Sequence, residues 1–266
     1  MGKITAMYWS ATGTTEKIVR AIAQELDAHY ETFDFTRPAA RAQGKAFGPD
    51  DVVVFGTPVY AGRVPNVLLK YLATVQGHGA KAIPVVLFGN RNFDDGLIEL
   101  RDILEANGFH TIAGAAFVGE HAFSRTLAAG RPDEADMALA RQFAAQVKDK
   151  LQTGSYTTPA VVEGCTPIRP YYTPRDRKGT PINILKVKPK TDMEKCDGCG
   201  ICADVCPMGS IDREHPEIVS GICIKCCACE KKCPKGAKYF DDAGYLYHKE
   251  ELELGYARRA EPSLFV

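Results

Sequence analysis

The amino-acid sequence predicts an α/β protein in which a doubly wound, five-stranded parallel sheet is followed by a small, cysteine-rich α+β domain. Two observations predict this fold class. Short β-rich runs alternate with helix patterns over residues 1–155, which is typical of parallel strands joined by crossover helices. The 10 cysteines, by contrast, lie in the second part of the chain, and none precedes Cys165.

Five β-rich runs supply the strands, and the segments between them supply the helices. The runs are KITAMYW, ETFDF, DVVVFG, KAIPVVLFG and TIAGAAFVG. The first helix pattern places Ile18, Ile22 and Leu26 on one face, and a long last helix begins at Pro132. Five parallel strands fit the order 2-1-3-4-5 better than a six-stranded order, and in that order a ligand binds at the carboxyl ends of strands 1 and 3.

Composition divides the chain into four segments. We expect a first domain at 1–155, a proline-rich basic linker at 156–190, a cysteine-rich domain at 191–240, and a C-terminal helix and tail at 241–266 that pack on the domains. Between Arg169 and Lys190 seven basic residues face a single acid, Asp176. Such a charge is typical of a solvated linker, and it also suits an electrostatic landing site for an acidic partner.

The overall charge excludes several classes of function. Lys and Arg total 33 and Asp and Glu total 33, so the net charge is 0 and no general attraction to nucleic acid or to an anionic membrane follows.

No apolar run approaches the roughly 18 residues of a membrane span, and the N-terminus lacks the apolar region of a secretory signal. We therefore expect a cytoplasmic protein with no nucleic-acid partner and no membrane span.

Two cysteine motifs carry the strongest chemical information. CDGCGICADVCP begins at Cys196 and CIKCCACEKKCP begins at Cys223. Both follow C-x2-C-x2-C-x3-C-P, the spacing that holds four-iron clusters in bacterial two-cluster ferredoxins, where the fourth cysteine binds the other cluster. We therefore expect one cluster on Cys196, Cys199, Cys202 and Cys233, and a second on Cys223, Cys226, Cys229 and Cys206.

Zinc and disulfides are the alternatives to iron-sulfur clusters. Zinc fingers and ribbons place C-x2-C pairs a dozen or more residues apart, and they have no use for the third cysteine of each triplet. Clustered cysteines in a reducing cytosol are more often metal ligands than disulfides. Two cysteines stay without a cluster: Cys165, an ordinary thiol in the linker, and Cys227, which either fills space or tunes its cluster through an S–H hydrogen bond.

A hydroxyl-rich loop, residues 10–15, follows the first strand and leads into a helix. It has four hydroxyl side chains and no Lys or Arg, so backbone N–H groups and the helix N-terminus would hold the phosphate of a mononucleotide. A simple helix cap is the alternative. Two further loops, 57–65 and 89–95, combine glycine, polar groups and one aromatic each, as expected of loops that surround a flat heterocycle.

These residues together resemble a known family, in which a flavodoxin-like FMN domain is fused to a bacterial-type two-[4Fe-4S] ferredoxin domain and which is common in anaerobic microbes. The matching stretches are YWSATGTTEK, GTPVYAGRVP, FGNRNFDDGLIEL, GEHAFS, GRPD, the two cysteine motifs and RRAEPSLFV. The resemblance implies a flavodoxin-like FMN-binding domain at 1–155 and a bacterial ferredoxin-like α+β domain at 191–240.

The resemblance also implies the cofactors, namely FMN and two [4Fe-4S] clusters, and the residues that contact the flavin. Tyr60 is the best candidate to stack on its ring, and Phe93 is the second. Cys227 departs from the family pattern. The expected FMN contacts are Ser10, Ala11, Thr12, Gly13, Thr14, Thr15, Pro58, Val59, Tyr60, Ala61, Gly62, Arg63, Gly89, Asn90, Arg91, Phe93 and Asp95.

An electron-transfer protein is the function that these cofactors favour, because clusters pass one electron at a time and a flavin holds one or two. The partner would be a redox protein or a small electron acceptor, and the sequence does not decide between a monomer and a homodimer. The alternative is an FMN-dependent reductase of a quinone, ferric chelate or other oxidant. No catalytic residue is firm, but Tyr60 and His121 are candidate proton donors. A regulatory module that senses oxygen or iron is a third hypothesis.

Overall fold

A computed structural model describes residues 2–266, and a parallel sheet forms its centre. The strands run in the order β2-β1-β3-β4-β6, with the short β5 beside β4. The predicted order 2-1-3-4-5 is confirmed, with the predicted fifth strand in two pieces. These strands are β1 (Ile4–Tyr8), β2 (Glu31–Asp34), β3 (Val52–Pro58), β4 (Lys81–Phe88), β5 (His110–Thr111) and β6 (Gly114–Val118).

Side-chain and main-chain contacts at Thr111 explain why the fifth strand is broken. The Thr111 N–H donates to Glu105 Oε1 at 2.6 Å, and the Thr111 carbonyl accepts from the Ala160 N–H at 3.0 Å. Both main-chain groups therefore have partners outside the ladder, and strand pairing resumes only at Gly114.

Four helices cover the two faces of the sheet, as the alternating pattern predicted. Helices α1 (Thr14–Leu26) and α4 (Glu134–Thr153) share one core, where Ile18 and Ile22 pack with Phe143. Helices α2 (Asn66–Leu72) and α3 (Gly96–Ala106) cover the other face. A 3-10 helix, Pro38–Arg41, follows β2. Because α1 begins at Thr14, within the loop at 10–15 that follows β1, its N-terminus lies at the carboxyl edge of the sheet.

The cysteine-rich segment is short in regular structure. It contains an antiparallel pair, β7 (Lys190–Thr191) with β8 (Lys238–Tyr239), and two single-turn helices, α5 (Ile201–Asp204) and α6 (Ala228–Lys231). Helix α7 (Ala243–Gly255) follows, and β9 (Ser263–Phe265) then pairs antiparallel with β6. The sequence did not predict β9, which extends the main sheet at its edge.

Residues 156–190 form a strap whose first half is fastened to the first domain. The Arg169 guanidinium pairs with Asp95 at 2.6 Å, and the Tyr171 hydroxyl donates to the Val64 carbonyl at 2.8 Å. The Tyr172 N–H donates to the Ala61 carbonyl at 2.8 Å. The strap therefore passes over the loops that follow the strands.

The hydrophobic core is continuous between the segments. Cys226 and Ala228 are buried in the same cluster of side chains as Trp9, Val64 and Ala260. The domain boundaries expected from composition stay predictions, since this core contains residues from all four segments. No helix among residues 2–266 is long and apolar enough to cross a membrane.

The Lys231 ammonium makes three hydrogen bonds across the contact between the two domains. It donates to the Glu120 carboxylate and to the His121 and Ser124 carbonyls, the last two at 2.7 Å. Arg41 makes a second connection, because its guanidinium donates to the Pro207 carbonyl at 2.7 Å. The loop after β6 is thereby tied directly to helix α6.

We expect Lys231→Met to destabilise the cofactor-loaded protein by about 2 kcal/mol, because three acceptors would lose a charged donor and Glu120 is only partly solvated. Denaturant unfolding measures the loss, and hydrogen exchange at 119–124 should accelerate. Lys232→Met is the matched control, since Lys232 is exposed and its ammonium has no partner in the described chain. Equal destabilisation by the two variants would contradict the assignment.

Candidate functional site

A cleft of about 800 Å³ lies at the carboxyl edge of the sheet. The loops after β1, β3, β4 and β6 form its floor, which is where a doubly wound sheet places a ligand. The residues expected to contact FMN that line it are Ala11, Thr12, Thr14, Thr15, Pro58, Val59, Tyr60, Ala61, Gly62, Gly89 and Arg91.

The loop at 10–15 has the properties of an anion site. Gly13 has φ +96°, a left-handed conformation that favours glycine, and it precedes the first turn of the 13-residue helix α1. The N–H groups of residues 12–15 donate to no acceptor among residues 2–266. Ser10 completes the turn, because its hydroxyl accepts from the Glu16 N–H at 3.0 Å. Free N–H groups at a helix N-terminus fit a phosphate.

Tyr60 lies in the cleft wall, at a tight turn in which Tyr60 and Arg63 exchange main-chain hydrogen bonds of 2.9 and 3.1 Å. Its ring meets Trp9 edge-on, with the centroids 5.9 Å apart. Burial raises the pKa of the Tyr60 phenol well above its ordinary value. Trp9 Nε1 is buried without a hydrogen-bond partner in the described chain, so the floor of the cleft offers a donor to a bound heterocycle.

Two predicted flavin contacts, Asn90 and Asp95, bind the chain itself instead. The Asp95 carboxylate is buried and accepts from the Arg169 guanidinium, which holds the pKa of Asp95 well below its ordinary range. The Asn90 side chain donates to the Tyr256 and Arg258 carbonyls, both at 2.6 Å. These loop residues therefore fasten the strap and the C-terminal tail.

Arg63 and Phe93 are also directed away from the cleft. The Arg63 guanidinium forms two hydrogen bonds with the Glu99 carboxylate, at 2.6 and 2.7 Å, and lies over the Tyr171 ring. Phe93 is buried against Phe88, with ring centroids 5.7 Å apart. In the described chain, Ser10 and Gly13 do not line the cleft, although they belong to the loop whose other residues line it.

His121 borders the cleft with its imidazole in the neutral form. Burial and the nearby Lys231 ammonium lower the pKa of His121 to about 3. Its Nδ1 accepts from the Phe123 N–H at 3.1 Å, which assigns the ring proton to Nε2. A Cβ at Gly89 would collide with this ring, so the glycine permits the close approach of the two loops.

The roof of the cleft comes from segments that the loop motifs did not indicate. Strap residues 171–174 and 181–185, loop residues 222–225 and His248 of α7 all line it. The Arg91 guanidinium lies 4.8 Å from the centroid of the Tyr172 ring. Adjacent tyrosines in a proline-rich segment were the available sequence signal for this roof, but they did not specify which loops they would cover.

The eight motif cysteines separate into two groups, each around its own small cavity. We call Cys196, Cys199, Cys202 and Cys233 the far cysteine set, and Cys206, Cys223, Cys226 and Cys229 the near cysteine set. Each cavity is lined by one cysteine from the opposite motif, which is the arrangement that the spacing predicts. The near set lies beside the cleft, because Cys223 lines both spaces.

The surroundings of the sulfurs fit thiolate ligands. Main-chain N–H groups of Ser210 and Lys225 donate to Cys206 Sγ and Cys223 Sγ, both at 3.4 Å, and the Ala237 N–H donates to Cys233 Sγ at 3.3 Å. No three His, Cys, Asp or Glu side chains in residues 2–266 converge enough to hold a single metal ion. A cubane cluster requires a wider spacing of its ligands than a single ion does, because each of its four thiolates binds a different iron.

Cys227 also lines the cavity of the near cysteine set, but its thiol makes a contact of its own with helix α7. Its backbone is left-handed, with φ +56°, and its buried thiol lies 3.3 Å from the Tyr245 hydroxyl. The Tyr245 ring stacks on Phe240, with centroids 4.6 Å apart. Cys227 thus connects the second cysteine motif to helix α7.

Comparison with known protein families finds a match in each of the two parts of the chain. A family model described as a flavodoxin domain matches residues 6–89, and one described as a 4Fe-4S binding domain matches residues 189–212. The chain is also 45% identical over 47 residues to the pyruvate synthase subunit PorD of Methanothermobacter marburgensis. That match covers 18% of this chain and 57% of PorD, so the chain spans little more than half the length of this relative.

Solved structures with a similar fold include several flavodoxins. The flavodoxin of Fusobacterium nucleatum bound to flavin mononucleotide is 18% identical, with 59% of this chain and 100% of that chain covered and a TM-score of 0.39. Oxidised Flavodoxin 2 of Bacillus cereus is 18% identical, with 56% and 99% covered and a TM-score of 0.41. A flavodoxin from the domain Archaea is 11% identical, with 57% and 99% covered and a TM-score of 0.37.

The two family matches have direct consequences for the cofactors. The flavodoxin domain implies FMN, and the 4Fe-4S binding domain implies a 4Fe-4S cluster. The chain therefore contains a flavodoxin domain followed by a 4Fe-4S binding domain.

Proposed function

We propose that this protein passes electrons between two [4Fe-4S] clusters and FMN within one chain, and on to a redox partner. The proposal rests on a wall that the cleft shares with the cavity of the near cysteine set. Ile222, Cys223 and Ile224 line both the cleft and the cavity of the near cysteine set. In the described chain none of the far set lines the cleft. This supports an electron path that runs from the far cysteine set through the near cysteine set to the cleft.

When bound, the clusters supply one-electron steps and the flavin supplies one- or two-electron steps. The chain's own residues keep water out of the wall between them. Ile224 packs on the buried core that contains Cys226, and Tyr60 packs against the same core from the side of the cleft. Lys231 and Arg41 hold this wall in place from the two sides of the domain contact.

The reductase alternative needs a proton donor in the cleft, and neither candidate suits the task. His121 carries no ionisable proton near neutral pH, because its pKa of about 3 keeps the ring neutral. Burial raises the pKa of Tyr60, which makes the phenol a weaker acid than usual. Transfer of electrons alone requires neither group, so the side chains of the cleft favour an electron-transfer protein over a reductase.

Ligand removal from either cysteine set tests the proposed order of electron flow. The wild-type protein should contain one FMN and twice the iron of a single four-iron cluster. In Cys206→Ser, exchange between the remaining cluster and the flavin should slow about tenfold or more. In the matched Cys196→Ser variant, exchange between the near cluster and the flavin should stay close to wild type. Anaerobic rapid mixing with absorbance and electron spin resonance detection measures both.

Folding of the two variants is checked separately. The flavin absorbance and the resonance signal of the remaining cluster show whether each domain is intact. Equal slowing in the two variants, or iron for a single cluster in the wild type, would refute the proposed arrangement.

Cys227→Ala tests the assignment of the near cysteine set. We expect both clusters to be retained, because Cys226 and Cys229 keep the motif spacing, with a loss of about 1 kcal/mol of stability as the contact to Tyr245 disappears. Iron content and thermal unfolding measure the two effects. Cys226→Ala is the control and should lose one cluster. Loss of a cluster in Cys227→Ala would mean that the ligand set is wrong.

The neutral His121 should make stability depend on pH. An unfolded histidine binds a proton below about pH 6.5, whereas His121 in the fold stays neutral down to about pH 3. Stability from this group is therefore complete above pH 6.5 and is lost as pH falls, by at most about 1.4 kcal/mol per pH unit. His121→Gln should show a shallower loss between pH 7 and 5 in urea unfolding. The exposed His29→Gln should keep the wild-type slope, and identical slopes in all three proteins would rule out this effect.

A further inference from the structure

The basic residues of the strap divide into two groups. Three are neutralised within the chain by carboxylates at 2.6 to 2.7 Å: Arg169 by Asp95, Arg177 by Glu251 and Lys190 by Asp241. The other four form no ion pair with any residue that the structure describes, namely Arg175, Lys178, Lys186 and Lys188. The excess positive charge of the strap is therefore concentrated on the second group.

One of these unpaired cations, Lys188, contacts the loop that leads into the second cysteine motif. The Lys188 ammonium donates to the Val219 carbonyl at 2.6 Å. From the loop side, the Lys225 ammonium donates to the Leu185 carbonyl at 3.1 Å and to the Cys223 carbonyl at 3.0 Å. Lys225 likewise has no carboxylate partner in residues 2–266. Strap and loop thus form one surface around Cys223.

The same surface exposes large apolar side chains. Leu185 is 79% exposed, Ile222 is 64% exposed and Ile218 is 48% exposed. We call Leu185, Lys186, Lys188, Ile218, Ile222 and Lys225 the basic apolar patch. Three carboxylates border the patch near Lys188, and two of them have partners of their own. Glu217 lies 3.6 Å from the His215 ring and Asp241 pairs with Lys190, while Asp242 caps helix α7. Exposed apolar residues with a charged rim are the usual composition of a protein interface.

We propose that the basic apolar patch is the docking surface for an acidic redox protein, which exchanges electrons with the centre held by the near cysteine set. The proposal rests on the proposed function and adds the partner's chemistry and its place of contact. The partner's reduced iron-sulfur centre would lose one electron and be oxidised, and the near cysteine set would hold the centre that accepts this electron and is reduced. No bond forms or breaks, and no proton is required.

Charge identifies the occupant. The whole chain has a net charge of 0, so attraction at the patch comes from local cations that lack internal partners. A second copy of the chain would place lysines against lysines in a symmetric contact, which disfavours self-association through this surface. An acidic surface that also offers apolar side chains is complementary to both features of the patch.

Charge reversal tests the proposal with a reduced, acidic bacterial two-cluster ferredoxin as the probe. In Lys186→Glu/Lys188→Glu, the second-order rate of reduction at low salt should fall about tenfold and depend less on ionic strength. The dissociation constant for the oxidised probe, measured by calorimetry, should rise as well. Lys70→Glu/Arg141→Glu is the matched control, because it reverses two exposed charges on α2 and α4 and should remain within about twofold of wild type.

Three results would overturn the docking surface. The first is that the probe does not reduce the wild-type protein, and the second is that the patch variant and the control change the rate of reduction equally. The third is a larger change of this rate in Lys235→Glu, which alters the charge beside the far cysteine set. Photochemical reduction without a protein donor distinguishes this failure from failure of the proposed function. If the flavin and the clusters exchange electrons normally under light but the patch variant reacts like wild type, the docking surface alone is wrong. If light-driven exchange is absent in the wild type, the proposed function is wrong.

Discussion

Residues 222–228 pack against the carboxyl end of the parallel sheet, and the separation of the cleft from the near cysteine set depends on this contact. Cys226 and Ala228 are buried in the same core as Trp9, so a metal-binding loop contributes directly to the hydrophobic centre of the sheet domain. A packed core has few alternative arrangements. The wall that contains Cys223 is therefore held by side-chain packing, and no flexible linker sets its position.

The C-terminal tail reinforces this contact from the opposite end of the chain. Strand β9 pairs with β6, and the buried Arg131 side chain, which is paired with Asp136, also donates to the Ala260 carbonyl at 3.0 Å. Asn90 holds the preceding turn. Two loops that border the cleft are thus bonded to the final residues, and helix α7 is fixed between the two cofactor regions.

Local sequence patterns were sufficient for the sheet, because strand order followed from periodicity and strand number. The cysteines expected for each cluster line one cavity each, but the near cavity is also lined by Cys227, so the ligand sets stay a prediction. Polar loop residues were not predictable in the same way. Asp95 and Asn90 had the right chemistry and position for a flavin contact, yet their partners lie 74 and 166 residues away, at Arg169 and Tyr256. Only tertiary structure decides between a ligand and a distant segment as the partner of such a group.

The two cysteine sets differ in exposure, and this difference bears on how a buried redox path can still reach a partner. In the near set Cys226 and Cys229 are buried and none is exposed, while the far set has one buried cysteine, Cys202, and one exposed cysteine, Cys199. Burial protects a centre from water but increases its distance from a docked protein. The chain reconciles these demands at Cys223, because its neighbour Ile222 is largely exposed and also lines the same cavity as Cys223. A partner that contacts Ile222 is then one residue away from a ligand of the near centre, and the buried cysteines need not be uncovered.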